Sequence, residues 1–254
     1  MKTPESTLLL LDLGNSRTKG VVAGANGWSA TFAVPSRQTD ALAATMKERQ
    51  LAMPPQALAC SVVGSSAEQS VLEELAAHGC KLHFWRKGSL PKGFENGYAS
   101  STLGPDRLLC ALAAWIEVHA KVLVVATFGT ATTVDTVVNG RYLGGMIAPG
   151  VALMAASLAR DTANLPLVEG SGAKVMAVPD NTSDAIFTGI VAAQRGVVQF
   201  ALDRARGLGH GPARLVITGG ASTSLAKHLP SHEVLYDPVL RGLAAVSELA
   251  QKEH

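Results

Sequence analysis

Two short apolar runs set the pattern of this 254-residue chain. Leu8-Leu-Leu-Leu11 ends in Asp12 and turns at Gly14, and Val122 to Ala126 ends in Thr127-Phe128 and turns at Gly129. An apolar run bounded by a turn predicts a buried strand. Each turn leads into further apolar or β-branched residues, Gly20 to Ala23 and Val134 to Val138. These are followed by Asn26-Gly27 and Asn139-Gly140. Asn-Gly between strands is a strong hairpin signal, because a type I′ turn needs positive φ at both central residues. Both halves therefore read strand, glycine turn, strand, Asn-Gly, strand. A long internal repeat of this kind predicts two domains of one topology, residues 1–118 and 119–254. Two glycine turns facing one another could clamp a nucleotide's phosphates.

The remaining pattern fills in each half. Asp40 to Leu51 reads as a helix and Ala57 to Val63 as a strand. A helix opens at Ser66 with Gln69 at capping-box spacing and stops at Gly79. Lys81 to Arg86 is a strand. Lys87 to Leu103 is irregular, carrying Gly88, Pro91, Gly93 and Gly97, and loops of that length are functional or mobile. Gly104-Pro105-Asp106-Arg107 starts a helix, since proline suits the first helical position. Leu108, Leu112, Trp115 and Ile116 fall on one face of it. Gly144 to Gly150 leads into a helix through Arg160. Thr182 is placed as the N-cap of a helical stretch, Ser183 to Gly207, interrupted by Gly189 and Gly196. Arg214 to Thr218 is a strand. The Gly219-Gly220 after it allows either close approach to a flat ligand or a tight turn. Asp237-Pro238 opens the last helix.

Composition narrows the class. Apolar residues at 47% supply real cores, and 17% charged residues are too few for a disordered chain. A formal net charge of +2 gives no footprint for nucleic acid or a membrane surface. No uninterrupted apolar run reaches the roughly 20 residues of a bilayer span. The stretch from Met1 to Leu11 has one lysine, an acid at Glu5 and no cleavage-like site, so it is not expected to be a signal peptide. Cys60, Cys80 and Cys110 are odd in number and widely spaced. They form no metal motif and are expected to be buried thiols of a cytoplasmic protein.

The first turn carries candidate chemistry. Asn15, Ser16, Thr18 and Lys19 offer donors to phosphate, and Asp12 offers a carboxylate to a metal. The alternative is an ordinary strand with a polar turn. Asp106 sits in a first helical turn, where the helix dipole favours an acid. It is either a common first-turn acid or a functional one.

The duplicated strand–hairpin pattern resembles the actin, sugar-kinase and Hsp70 superfamily. Within it, the details resemble type III pantothenate kinases. The resemblance rests on Asp12-Leu-Gly-Asn-Ser, Tyr98 before Leu103-Gly-Pro-Asp-Arg, and Phe128-Gly-Thr-Ala-Thr-Thr-Val-Asp135. It continues through Gly144-Gly145, Pro149-Gly150, Thr182 with Ala185 and Gly189, Gly219-Gly220, and Leu240-Arg-Gly-Leu243, in order over nearly the whole chain. It implies an α/β fold of two ribonuclease-H-like domains with mixed sheets and a cleft. It also implies transfer of the ATP γ-phosphate to pantothenate, the first step of coenzyme A synthesis. By the family pattern, Asp12, Leu13, Gly14, Asn15, Ser16, Arg17, Thr18 and Lys19 hold ATP phosphates, Asp12 faces Mg²⁺, and Thr130 meets ATP. Tyr98, Gly104, Pro105, Asp106, Arg107 and Thr182 surround pantothenate, with Asp106 as the base. The resemblance further implies a homodimer with its sites near the interface. A regulatory protein on the same fold, or a kinase for sugar or acetate, are the competing classes. The intact Asp12, Asp106 and Arg107 argue against the first, and the Tyr98 and Gly104 to Arg107 set against the second.

One position departs from the resemblance. Thr127 stands where the family pattern has the Asp expected to ligate a monovalent cation, K⁺ or NH₄⁺. A hydroxyl still offers an oxygen but no charge. At an effective dielectric of 20, two unit charges about 4 Å apart interact by roughly 4 kcal/mol before screening and desolvation. Activity is therefore expected to depend weakly or not at all on K⁺, and Thr127→Asp is expected to create or strengthen that dependence. Initial rates in K⁺ and in a large organic cation at matched ionic strength test this. Strong, saturable K⁺ activation of the native protein contradicts it.

Overall fold

The structure, a computed structural model, describes residues 7–25, 27–36, 38, 41–86, 88–168 and 172–252. In chain order its elements begin with β1 (Leu8–Leu13), β2 (Arg17–Gly24), β3 (Gly27–Trp28), β4 (Phe32–Pro35), α1 (Ala41–Glu48), β5 (Gln56–Ser61), α2 (Ser65–Ala77) and β6 (Lys81–Phe84). Next come β7 (Glu95–Asn96), α3 (Pro105–Val118), β8 (Val122–Phe128), β9 (Ala131–Val138), β10 (Arg141–Pro149), α4 (Val151–Asp161) and α5 (Thr182–Gly207). The chain closes with β11 (Ala213–Thr218), α6 (Ser222–Leu225), β12 (Glu233–Val234) and α7 (Pro238–Lys252). The helix expected from Asp40 begins among the described residues at Ala41, and Asn26 of the first Asn-Gly lies outside them.

The fold is α/β with two mixed sheets, and the repeat is visible in them. One runs β6-β5-β1-β2-β3 and the other β12-β11-β8-β9-β10, each with two parallel pairings followed by two antiparallel ones. The extra strands differ: β4 pairs with β2, and β7 adds to β10. The second hairpin turns as its sequence requires, with Asn139 at φ 49 and Gly140 at φ 78.

The chain divides into two compact units. The first holds the chain up to Phe94, Ser100–Ala113 and everything from Pro238 on; the second holds Glu95–Ala99 and Ala114–Asp237. The last helix is thus the final element of the second repeat but packs on β1, β5 and β2 of the first unit.

In the first unit, alternate β1 side chains serve different layers. Leu9, Leu11 and Leu13 join Leu42 and Met46 of α1 and Val71 and Leu75 of α2. Leu10, fully buried, belongs to the opposite face. Burial on both faces explains the unbroken leucine run, as in other parallel strands. Each such side chain contributes about 1.5–3 kcal/mol of transfer free energy. In the second unit, Val122, Val124, Ala126 and Phe128 of β8 pack with Val134 of β9 and Val191, Val198 and Leu202 of α5.

Several local expectations are corrected. α2 starts at Ser65 with Gly64 as its N-cap and no side-chain cap, so Ser66 and Gln69 form no capping box. The Gln69 amide instead donates to Glu73, 2.7 Å away. The stop at Gly79 holds: its φ is 76, and the Gly79 and Cys80 N–H groups return to Ala76 and Leu75, a Schellman closure. α5 is capped by Asn181, with Thr182 as the first helical residue, and it runs through Gly189 and Gly196 without a break. α5 is also long and apolar enough to cross a membrane by length and composition, which its sequence had not suggested. Its apolar stripe lies on the second sheet, and core helices pass the same test. α3 is buried from Arg107 through Ala114 rather than along one face; Trp115 and Ile116 are half-buried.

Gly242 gives the family-like Leu240-Arg-Gly-Leu243 a physical reason. A methyl group there would collide with the Leu109 backbone, so α7 and α3 touch main chain to side-chain-free main chain. Alanine normally favours a helix interior over glycine by about 1 kcal/mol. Here Gly242→Ala is expected to destabilise by about 1–3 kcal/mol through overpacking, read by urea unfolding. A gain in stability would mean that the helices do not meet at this point.

Candidate functional site

The first glycine turn closes the β1–β2 hairpin. The Gly14 N–H donates to the Arg17 carbonyl at 3.2 Å, and the Ser36 hydroxyl donates to the Gly14 carbonyl at 2.6 Å. Ser36, absent from the sequence reading, ties β4 to the turn; a lone serine after a strand gave no signal. Asn15, Ser16 and Arg17 are exposed at the tip. Strand alternation then sorts the neighbours. Thr18 pairs with Leu13 and Val34 and is buried on their face, and the Leu13 side chain is in the core. Neither side chain is presented at the turn, so any part they play in holding a ligand falls to their backbone. Lys19 stands directly across from Asp12, and Asp12 directly beside Cys60 of β5. Paired residues share a face, so lysine, carboxylate and thiol form one row across the sheet.

Asp106 belongs to the same unit. It lies in the first turn of α3, its carboxylate folded back over Gly104, where a methyl group would strike Oδ1. Burial pushes the Cys60 thiol well above its ordinary range. The charges of Asp12 and Asp106 add to this, and Arg86 opposes it. A protonated Cys60 is a small apolar neighbour, not a nucleophile. The sequence pointed to a buried thiol but not to its place beside Asp12, which depends on the β1–β5 register. Arg107 is buried to 9% exposure, and a buried guanidinium is retained only with partners.

The second unit carries the other predicted residues. The Gly129–Thr130 turn is exposed and tightly braced. Gly129 donates to the Ala131 carbonyl at 3.1 Å, Gly150 to Thr130 at 3.0 Å, and Ala221 to Phe128 at 3.1 Å. A methyl group at Gly150 would collide with the Gly129 and Thr130 carbonyls, and one at Gly219 (φ 95) with Phe128. Gly219 thus makes a close backbone approach within the fold. Tyr98 stacks in tilted geometry on Tyr142, 6.2 Å between centroids, and lies over Gly144, which has no side chain to displace it. The Tyr142 hydroxyl donates to buried Asp135 at 2.7 Å. Thr182 is exposed at the start of α5.

Thr127 pairs with Thr218 on one side and Thr133 on the other, three threonines abreast on one face. Hydroxyl oxygens are present for a monovalent cation, but the row has no carboxylate. For Mg²⁺, which takes one or two carboxylates and keeps its waters, Asp12 with its half-buried side chain fits. Among the described residues no cluster of three His, Cys, Asp or Glu side chains is formed.

A family model for type III pantothenate kinases matches residues 8–204. The chain belongs to that family. Relatives named type III pantothenate kinase include one from Herminiimonas arsenicoxydans, 35% identical over 94% of this chain and 97% of its own, and one from Dechloromonas aromatica, 36% identical over 93% and 97%. Among solved structures, a Baf family protein of Campylobacter jejuni described as a transcriptional activator superposes with TM-score 0.65 at 20% identity, over 96% of this chain and 99% of that one. The ethanolamine utilization protein EutJ of Carboxydothermus hydrogenoformans gives 0.56 at 16% identity, over 96% and 91%. MreB 5 of Spiroplasma citri gives 0.53 at 10% identity, over 97% of each chain. The solved structures show the actin-like fold alone, and the family, shown by its model and by the relatives, is one of enzymes.

Asp184 holds the segment before Thr182 in place. Its carboxylate accepts the Lys174 N–H at 2.6 Å and the Asn181 amide at 2.9 Å. The Lys174 bond first, then Asn181, keeps it below the ordinary carboxylate range. A lowered folded value means that the stabilisation is complete above the unfolded aspartate value, about 3.9, and is lost as pH falls through the lower folded value. The Lys174 amide resonance is expected to shift only in that acid window, and Asp184→Asn is expected to abolish the shift. An unchanged acid shift in the variant would assign the titration to another group.

Proposed function

We propose that this protein transfers the ATP γ-phosphate to the hydroxyl of pantothenate, giving 4′-phosphopantothenate and ADP, the first step of coenzyme A synthesis. The family carries the activity. The observation that supports it on this chain is the β1–β2 register, which sets Lys19 directly across from Asp12 beside the exposed Asn15–Arg17 turn.

Phosphoryl transfer asks a protein for position and charge neutralisation more than for covalent chemistry. The turn from Asp12 to Lys19 would serve the phosphates, with exposed Asn15, Ser16 and Arg17 as donors and Lys19 as a cation. Asp12 would hold Mg²⁺, which when bound neutralises phosphate charge. Thr130 would meet ATP. Gly104, Pro105, Arg107, Tyr98 and Thr182 would bind pantothenate, Arg107 answering its carboxylate. Asp106 would accept the hydroxyl proton as that oxygen bonds to phosphorus and the bond to the ADP oxygen breaks. With only hydroxyls at Thr127, the second turn would hold a monovalent cation weakly.

We place the enzyme in the cytoplasm as a homodimer with substrate sites near the interface. Exposed Leu143 and Ile147 of β10 and Leu153 of α4 supply apolar surface for a second copy.

Asp106→Asn keeps shape and removes the base. General-base contributions are typically 10²–10⁴-fold, so kcat is expected to fall by about that factor while ATP still binds. Coupled ADP release with pantothenate, against sugars and acetate as controls, measures it. Near wild-type kcat in the variant would remove Asp106 from the base role, and turnover of a control in place of pantothenate would overturn the substrate.

A further inference from the structure

Gln194 is the one large polar residue of α5 whose side chain is wholly buried, at 1% exposure. It stands four residues after Ile190 and four before Val198, in the apolar stripe. Both ends of its amide are bonded. The Thr132 hydroxyl donates to Oε1 at 2.6 Å, and Nε2 donates to the Pro149 carbonyl at 2.9 Å, with the Met154 sulfur 3.2 Å away. One side chain therefore joins β9, the end of β10 and α4.

Both anchored points adjoin the second glycine turn. Thr132 is two residues past Thr130, and Pro149 precedes Gly150, whose N–H donates to the Thr130 carbonyl and whose bare Cα lies on Gly129 and Thr130. A polar group this deeply buried costs free energy unless each bond is made, so its geometry is held closely. Shifting Pro149 by a few tenths of an ångström would move Gly150 and, with it, the turn.

We infer that Gln194 is a positioning residue for nucleotide binding: its buried amide fixes the Gly129–Thr130 turn by clamping Thr132 and Pro149. This rests on the kinase reading, which gives Thr130 its ligand.

The test uses Gln194→Met, which keeps volume and removes both bonds, with Thr132→Val and Thr132→Ser. Calorimetric binding of Mg·ADP is measured alongside KM for ATP, KM for pantothenate and the melting temperature. A lost hydrogen bond is worth about tenfold at the upper end of its usual range. Gln194→Met is expected to weaken Mg·ADP and raise KM for ATP by about that factor, with KM for pantothenate changed less than about twofold. Thr132→Val is expected to reproduce part of the effect and Thr132→Ser to restore it. Wild-type Mg·ADP affinity in a folded Gln194→Met protein overturns the inference alone. Equal losses for both substrates that follow the melting temperature also overturn it, leaving Gln194 a core residue. A native protein that binds no adenine nucleotide overturns the kinase reading and this inference with it.

Discussion

The parallel pairing of an apolar strand with its crossover neighbour, β1 with β5 and β8 with β11, is the constraint from which the rest follows. Such strands are covered on both faces. Their side chains must be apolar until the strand emerges from between its layers. Polar chemistry is therefore confined to the ends and to the turns beyond them. Asp12 and Thr127 occupy those ends, and Gly14 and Gly129 make the turns. The two units repeat this plan with different chemistry, an acid in the first and a row of threonines in the second.

The turns themselves are held differently. The first is tied by the Ser36 hydroxyl on the Gly14 carbonyl. The second is braced by backbone, with Gly150 and Gly219 close enough that a methyl group would not fit. Backbone bracing leaves no side-chain rotamer to relax, so its precision passes to whatever fixes the bracing strand. The buried amide of Gln194 fixes it. Glycines that look like flexibility along the chain act here as permission for close approach.

The turn and the helix start that carry the candidate residues were legible because they are local. Asp12 to Lys19 and Gly104 to Arg107 are contiguous segments, and their turn and helix-start signals lie within a few residues. Finer detail was less legible where differences of one or two residues matter. The sequence offered Ser66 and Thr182 as caps, but Gly64 and Asn181 take those places. Serine, threonine, asparagine and glycine all suit the N-cap, and only the direction of the arriving chain decides which one caps. Thr18 read as a phosphate donor, but strand alternation turns it into the core beside Leu13.

The sequence by itself determined the duplicated strand order, both glycine turns, the second Asn-Gly hairpin and the α3 start, because periodicity and φ requirements act over a few residues. Tertiary structure alone decided that Cys60 lies beside Asp12, that α7 leaves its own repeat to pack on the first sheet, and that Gly242 must admit Leu109. It also decided that Gln194, one polar break in an apolar stripe, faces Thr132 and Pro149. These depend on register and on contacts between residues tens of positions apart, which no local pattern encodes.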